Sequence, residues 1–246
     1  GIFADNTAAG QDLRITANDS IDADGIGIYA LSDGQGELNI HTLGTVTTGS
    51  SGIVASHVGA GAATITADKA ITASGPNGIE FSSTASTSTA VITANEDVTA
   101  STRGIYAMHS GTGLLTVESK GKAVGTAWDG IRADGANGVV INAVDTEGGN
   151  YGIVSWGAGN GGVDVTSTGL AEGTNGIDVR TNNESTHLNV TAKDVTGSQH
   201  GIVTIQHSDL GTPNNDAKID VSGVIQGGSG YAIWTESDPG VMTRIN

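Results

Sequence analysis

Apolar and polar residues alternate in short runs along the whole chain, and these runs return at a regular interval. A Gly-Ile pair, or Ala-Ile in the last instance, opens such a run ten times. The first residues of these pairs are Gly1, Gly27, Gly52, Gly78, Gly104, Gly130, Gly152, Gly176, Gly201 and Ala232. The steps between them are 26, 25, 26, 26, 26, 22, 24, 25 and 31 residues. A repeat of this length is typical of a solenoid, in which each repeat packs on the next one.

Each repeat contains three alternating runs with the period of a β-strand that buries one face. The first run follows the glycine, as in GIVASH at residues 52–57, and the second resembles ATITA at Ala63–Ala67. The third run is centred on Ile21, Val46, Ile71, Val98, Val124, Leu170, Val195 and Ile225. Turns rich in Gly, Asn, Ser and Asp separate the runs, and no breaker-free stretch of ten residues carries a helical stripe. We therefore predict three short strands per repeat and essentially no helix.

The length of the repeat selects the architecture. A propeller blade needs about 40 residues, whereas a parallel β-helix closes one coil in roughly 20 to 30. We predict an all-β fold, a right-handed parallel β-helix of about ten coils of roughly 25 residues, forming a single domain over residues 1–246. Each strand then pairs with its equivalent in the next coil, about 4.8 Å away, so the isoleucines of the pairs form one buried ladder. The glycine before each isoleucine indicates a corner that needs positive φ or a close backbone approach.

Composition and charge fit this fold and remove several classes of partner. Gly contributes 39 of 246 residues and aromatic residues 4%, as expected for a thin core with many corners. There is no cysteine, which excludes disulfides, thiol catalysis and cysteine-ligated zinc. The formal charge is −16 and no basic stripe exists, so we expect no nucleic acid partner and no attraction to anionic membranes. No 18-residue apolar stretch is present, so we expect no direct membrane insertion.

The repeated pattern GIxA followed by xITA, as in residues 52–73 and 78–100, resembles the passenger domains of Gram-negative autotransporters. Within this type V secretion class it is similar to the adhesin group that includes AIDA and pertactin, and the resemblance covers the whole chain. It implies a β-helix that is displayed on the bacterial outer membrane or secreted, commonly as an adhesin or virulence factor. The translocating barrel and helical linker of that family have no counterpart in this sequence. We therefore expect a fragment of a longer passenger, truncated at both ends.

Sequence motifs for catalysis are absent. No Gly-x-Ser-x-Gly, HExxH or phosphate-binding P-loop motif occurs, and the nucleophile loop of serine-protease passengers is missing. A GxGxxG pattern occurs at Gly157, Gly159 and Gly162, but it lies between two predicted strands with no helix to face a pyrophosphate. We interpret it as a corner of a coil and predict no cofactor.

Two possible metal sites have a simpler interpretation. The segment Ser20–Gly25 begins like a calcium loop, but its twelfth position is Leu31 rather than a bidentate Glu. His57 and His109 occupy the same position two coils apart, roughly 10 Å from each other, which is too far to share a zinc ion. We predict solvated turns, surface or turn histidines, and no metal.

The main enzymatic alternative is a polysaccharide-degrading β-helix enzyme, which needs a close carboxylate pair or carboxylates with a basic residue. Glu80, Arg132 and Asp178 share one outward position, yet each carboxylate lies two coils from the arginine. The charge of −16 would also repel anionic glycans. We therefore expect a protein that is not an enzyme.

The residues directly after the Gly-Ile pairs form a column that alternation directs outward. The column is Phe3, Tyr29, Val54, Glu80, Tyr106, Arg132, Val154, Asp178 and Val203, and three tryptophans, Trp128, Trp156 and Trp234, lie near its edge. Exposed aromatic residues beside an arginine have the composition of binding hot spots. Alternatively, these residues simply cover the sheet or meet a flanking loop.

The longest step, from Gly201 to Ala232, predicts a loop that leaves the coil around residues 208–216. Insertions of this kind often lie on the binding face of a solenoid. The candidate partner-binding residues are therefore Tyr29, Tyr106, Trp128, Arg132, Trp156, Leu210, Pro213 and Asn214.

Together these observations predict a non-catalytic, extracellular adhesin that acts through its lateral surface. Its expected partner is a host-cell or matrix protein receptor, or another copy of the rod. A released passenger that acts as a ligand for a host receptor is the alternative, and a polysaccharide-degrading enzyme is a more distant one.

Overall fold

A computed structural model of the chain describes residues 1–84, 87–158, 161–182, 187–206, 216–237 and 242–246. Within these ranges the backbone forms 23 β-strands and no helix. The strands stack in parallel as a solenoid of about nine turns, which confirms the predicted parallel β-helix.

The strands form three parallel ladders, one for each alternating run of the repeat. The first ladder contains β1 (Ile2–Asn6), β4 (Ile28–Ser32), β7 (Ile53–His57), β10 (Asn77–Ser83), β13 (Arg103–His109), β15 (Asp129–Gly135), β17 (Tyr151–Ala158) and β22 (Ile233–Ser237). The second contains β2 (Leu13–Ala17), β5 (Leu38–Thr42), β8 (Ala63–Ala67), β11 (Ala90–Ala94), β20 (Asp216–Val221) and β23 (Thr243–Ile245). The third contains β3 (Ile21–Ala23), β6 (Val46–Thr48), β9 (Ile71–Ala73), β12 (Val98–Ala100) and β21 (Ile225–Gly227).

Four long strands run through more than one ladder, because their corners keep an extended backbone. They are β14 (Leu115–Gly125), β16 (Val139–Gly148), β18 (Val163–Asn182) and β19 (His187–Gln206). Each strand pairs with its equivalent one coil away, as in β4 with β7, β7 with β10 and β10 with β13. Like residues therefore stack on like residues along the rod.

The core is a column of isoleucines flanked by smaller residues. The eight isoleucines that are fully buried in the first ladder are Ile28, Ile53, Ile79, Ile105, Ile131, Ile153, Ile177 and Ile202. The neighbouring inward position holds alanine in four of these eight coils, and Phe81 is stacked between two of those alanines, Ala55 and Ala107. Phe81 is itself 1% exposed, and the two alanines below and above it leave the space that its ring fills.

The glycine of each Gly-Ile pair is required by a close backbone approach. A Cβ atom at Gly104 would lie 2.6 Å from the carbonyl oxygen of Gly130, and one at Gly52 would lie 2.5 Å from that of Gly78. Neither glycine has positive φ. Among the described residues, the glycine with positive φ is Gly138, where φ is 116°. Of the two explanations offered for these glycines, the close approach is therefore the correct one.

Replacing Gly104 with alanine should destabilise the rod by about 1–3 kcal/mol, because the new methyl group meets backbone atoms that cannot move aside. Gly25 is the matched control, since a Cβ atom there has no neighbour within 4 Å. Gly25→Ala should change the free energy of unfolding by less than about 1 kcal/mol, and in the stabilising direction. Urea denaturation of both variants checks this, and equal midpoints would contradict the close-approach explanation.

The inward alternation continues past the alanine to a column of buried polar residues. This column includes the buried residues Ser32, His57, His109, Thr181 and Gln206, with the half-buried Ser83 between the two histidines. His57 is 0% and His109 1% exposed, so the prediction that they are surface or turn residues was wrong. The Nε2 atom of His57 donates to the carbonyl of Gly61 over 3.2 Å, and Nδ1 of His109 lies 2.7 Å from the hydroxyl of Ser83. Burial lowers the pKa of both histidines below 6.5, although backbone hydrogen bonds oppose it.

Because these pKa values are lowered by folding, the unfolded chain binds protons that the folded chain does not. The free energy of unfolding should therefore fall as the pH drops below about 6.5 and continue to fall until the folded pKa values are reached. The contribution is at most about 1.4 kcal/mol per pH unit for each histidine. Replacing both His57 and His109 with serine, the residue found at positions 32 and 83, should flatten this part of the profile. His41 is half-exposed, so His41→Ser is the control. If His41→Ser flattened the pH profile as much as the double variant does, the pH dependence could not be assigned to the buried histidines.

Candidate functional site: an arginine–aromatic face

The outer face of the first ladder carries a continuous chain of stacked arginine and aromatic side chains. We call Arg103, Tyr106, Trp128, Arg132, Trp156 and Arg180 the arginine–aromatic face. They are brought together by parallel register, which places Tyr106 beside Arg132 and Trp156 beside Arg180. Residues that are about 25 positions apart in the sequence are therefore direct neighbours on the surface.

The contacts between guanidinium groups and rings link the whole face. The Cζ atom of Arg103 lies 4.2 Å from the ring centroid of Trp128 and 4.6 Å from that of Tyr106. Arg132 lies 4.5 Å from the ring of Trp156 and 5.9 Å from Tyr106. Arg180 lies 5.9 Å from the ring of Trp156. Each contact is within the range of a cation–π interaction, which orients both partners.

Each arginine of the face is also paired with an aspartate. The Nε atom of Arg103 donates to Asp129 over 3.0 Å. The Nε atom of Arg132 donates to Asp134 over 2.9 Å. Arg180 makes two such bonds to Asp178, of 2.7 and 2.9 Å, in the bidentate arrangement that fixes a guanidinium group most firmly. The three guanidinium groups are consequently neutralised and held in place.

The pair of Arg103 and Asp129 is the most buried of the three, with side chains 13% and 4% exposed. Burial raises the pKa of Asp129, and the hydrogen bond and positive charge of Arg103 oppose this effect. The pKa of the Tyr151 phenol is also raised, first by burial and then by the charge of Asp178. Both of these groups are thus partly withdrawn from water.

The face is close to neutral, unlike the rest of the rod. Its three arginines are accompanied by four carboxylates, of Glu80, Asp129, Asp134 and Asp178, which gives a sum of 3 − 4 = −1. The chain as a whole carries −16, so the other residues account for −15. A partner would therefore meet little net electrostatic repulsion here.

The two tryptophans of the face leave large ring surfaces open to solvent. Trp128 is 48% and Trp156 44% exposed. The backbone N–H of Trp156 donates to Oδ1 of Asp134 over 3.1 Å, while Oδ2 of the same carboxylate holds Arg132. One carboxylate thus positions both the tryptophan and the arginine that stacks on it, so the exposed indole is preorganised for contact.

Four of the predicted partner-binding residues, Tyr106, Trp128, Arg132 and Trp156, lie together on this face. Tyr29 does not, because the register places it three coils away from Tyr106, where its ring packs against Phe3 at a centroid distance of 5.6 Å. Trp234 belongs to another cluster, 5.2 Å from the ring of His200. Leu210, Pro213 and Asn214 lie outside the described residues.

The outward column that follows the Gly-Ile pairs is less exposed than its alternation predicts. Val154, Asp178 and Val203 are all at most 1% exposed, so the expectation of a surface position is wrong for them. For Asp178 the reason is visible, since Asn175 and Arg180 both donate hydrogen bonds to its carboxylate and cover it.

Sequence reasoning missed Arg103, Asp129 and Arg180, which complete the face. Arg103 and Asp129 each directly precede the glycine of a Gly-Ile pair, in a position that alternation assigns to a turn. The register between coils shows that the two are adjacent. An alignment of the ten repeats, position by position, would have placed them in one column.

The carboxylates considered for glycan hydrolysis remain apart. Glu80 pairs with Tyr106, Tyr106 with Arg132, Arg132 with Val154 and Val154 with Asp178, so two coils separate the arginine from either carboxylate. The described part of the chain contains no group of three or more His, Asp or Glu side chains that could hold a metal ion. The middle glycine of the GxGxxG pattern, Gly159, lies outside the described residues.

In the ranges that the structure covers, no helix is long and apolar enough to cross a membrane. Comparisons with protein-family models, with curated proteins and with solved structures return no match for this chain.

Proposed function

We propose that this chain is a non-catalytic adhesive module of an extracellular bacterial protein, displayed on the cell surface or secreted, and that it attaches through the arginine–aromatic face. The observation that carries the proposal is the combination of two half-exposed indoles with three fixed guanidinium groups on one side of a rigid rod. Trp, Tyr and Arg are the residues that contribute most binding energy in interfaces.

The rod itself favours attachment to a large partner. A solenoid presents an extended lateral surface rather than a deep cleft, and extended surfaces suit macromolecular partners. Because the side chains of the face are already held by hydrogen bonds and stacking, little conformational entropy is lost when a partner binds. The resemblance of the GIxA repeats to autotransporter passengers supports the extracellular location.

An attachment assay tests the proposal. The folded protein is coated on beads and offered to a fixed epithelial cell layer and to immobilised collagen, fibronectin and laminin. We expect retention on at least one of these surfaces, and a loss of at least tenfold for the variant Trp128→Ala with Trp156→Ala. Trp234→Ala is the matched control, since Trp234 is equally exposed but lies outside the face.

A folded double variant that attaches as well as the unaltered protein would contradict the role of the face. Retention on none of the surfaces would contradict the adhesive function.

Self-association of two rods is the second candidate, and the near-neutral charge of the face favours it. Although each rod carries −16, two rods repel one another only weakly through a face whose local sum is −1. Analytical ultracentrifugation distinguishes this candidate, which requires dimers that disappear in the same double variant.

A further inference from the structure

The chemistry of the arginine–aromatic face restricts the class of ligand that it can bind. A free guanidinium group would favour a carboxylate, sulfate or phosphate ligand. Arg103, Arg132 and Arg180, however, each already donate to an aspartate, and the first two are mostly buried. What the face offers to solvent is therefore mainly the π-surface of the indoles, together with the Asp134 carboxylate, which is 15% exposed, whereas those of Asp129 and Asp178 are buried.

A shallow notch lies directly beside the ring of Trp156. Its other walls are formed by Met108, His109, Ser110, Asp134, Gly135 and Ala136, at the end of the first-ladder strands. Ser110 and Ala136 are exposed and small, so Met108 and the buried His109 are the larger apolar or aromatic side chains that share the notch with the indole. The notch thus combines an aromatic platform, a carboxylate and a hydroxyl group within one small concave surface.

These three features match the chemistry of a sugar ring. A pyranose presents polarised C–H groups on one face, which are attracted to the negative face of an aromatic ring. Its hydroxyl groups donate to a carboxylate and exchange hydrogen bonds with a serine hydroxyl. Small-ligand sites commonly consist of an aromatic surface with a few fixed polar groups, as here.

We infer that the notch beside Trp156 binds a neutral hexopyranose unit, so that the partner of the proposed adhesin is recognised through neutral glycans. The inference rests on the proposed function, because it names the ligand class of the same face. Neutral sugars are favoured over acidic ones, since the chain carries −16 and Asp134 lies in the notch itself.

The first experiment follows the indole N–H signals of the three tryptophans by NMR in nitrogen-labelled protein. The probes are the methyl glycosides of glucose, galactose, mannose and N-acetylglucosamine, with glucuronic acid and sialic acid as charged counterparts. At least one neutral glycoside should shift the Trp156 signal in a saturable manner and shift the Trp234 signal much less. The inference is overturned if no neutral glycoside shifts Trp156, if only the acidic sugars do, or if all three indoles shift alike without saturation.

Variants then locate the site. Binding of the most effective glycoside, presented on a soluble polymer, should weaken at least tenfold in Trp156→Ala and remain within about threefold in Trp156→Phe, which retains a ring. Ser110→Ala should weaken it severalfold, and Trp234→Ala should leave it unchanged. Circular dichroism establishes that each variant is folded, and equal binding by Trp156→Ala and the unaltered protein would refute the site.

The inference and the proposed function can fail separately. If periodate oxidation of the glycans on the target cells leaves attachment intact and attachment still requires Trp156, the face binds protein and only the glycan inference fails. If the glycosides bind but the coated beads attach to no surface, the sugar site stands and the adhesive function fails.

Discussion

The variant Ile79→Asp should not fold. Ile79 is 0% exposed and lies between Ile53 and Ile105 in the central column, so the carboxylate would be enclosed by apolar side chains with no cationic partner. Burying an unpaired charge of this kind costs more than the several kcal/mol by which domains of this size are typically stable. Circular dichroism and thermal unfolding measure the result, and we expect loss of the cooperative transition.

Ser82 provides the control for this variant, because it lies on the same strand, β10, but its side chain is exposed. Ser82→Asp should fold and should change the free energy of unfolding by less than about 1 kcal/mol. If Ile79→Asp retained its cooperative transition at an unchanged temperature, the isoleucine column could not be the core.

The variant Arg103→Ala should lose about 3–5 kcal/mol of stability near neutral pH. The substitution leaves the carboxylate of Asp129 buried without its partner, and an uncompensated buried charge is far more costly than a lost surface pair. It also removes the group that stacks on Trp128 and Tyr106. Urea denaturation as a function of pH is the appropriate measurement.

The pH dependence of this loss identifies its cause. Burial already raises the pKa of Asp129, and removal of Arg103 eliminates the charge that opposes this rise. Folding of the variant should therefore favour the protonated form of Asp129. The loss of stability relative to the unaltered protein should become smaller as the pH falls towards the pKa of Asp129. Replacing Asp129 with alanine as well should restore much of the stability. Lys69→Ala, which breaks an exposed pair with Glu96, should leave the stability almost unchanged at any pH.

The repeat in the sequence was sufficient to predict the fold, because a parallel β-helix stacks like residues on like residues. The spacing of the Gly-Ile pairs determined the register of the first ladder, and the observed partners Ile28, Ile53 and Ile79 follow it. The third ladder was less predictable, since its runs are only three residues long. There Leu170 is exposed and Ala171 is buried, so the more apolar residue was the wrong choice for the core position.

The buried histidines show how residue type can mislead where alternation does not. His57 stands two positions after Ala55 and four positions after Ile53. Both of these residues point inward, so strict alternation places His57 inside as well. We expected it outside because histidine is polar. The column accommodates it because Gly61 supplies a carbonyl acceptor at the adjoining turn, which the linear pattern does not reveal.

The candidate site was predicted only in part, because it depends on contacts between coils. Tyr106 and Arg132 share a column that can be read from the repeat. The pairing of Arg103 with Asp129 joins the first residues of β13 and β15, which precede the Gly-Ile pairs from which the repeat was counted. The orientation of these two side chains is decided by their hydrogen bond and by stacking on Trp128, and neither can be derived from alternation.

The coil-to-coil pairing also determines how the rod would respond to a pulling force. Strands pair with the coils before and after their own, as in β4 with β1 and β7, and these hydrogen bonds run along the axis of the rod. Tension applied between the two ends therefore loads the bonds of one terminal coil at a time. The folded part of the rod should lose coils from an end while its middle keeps its structure. Each coil that peels away would release on the order of 80 Å of extended chain, given about 25 residues per coil. In single-molecule force spectroscopy this would appear as a series of nearly equal steps, and the chain would act as an extensible tether that dissipates mechanical work before an attached partner is released.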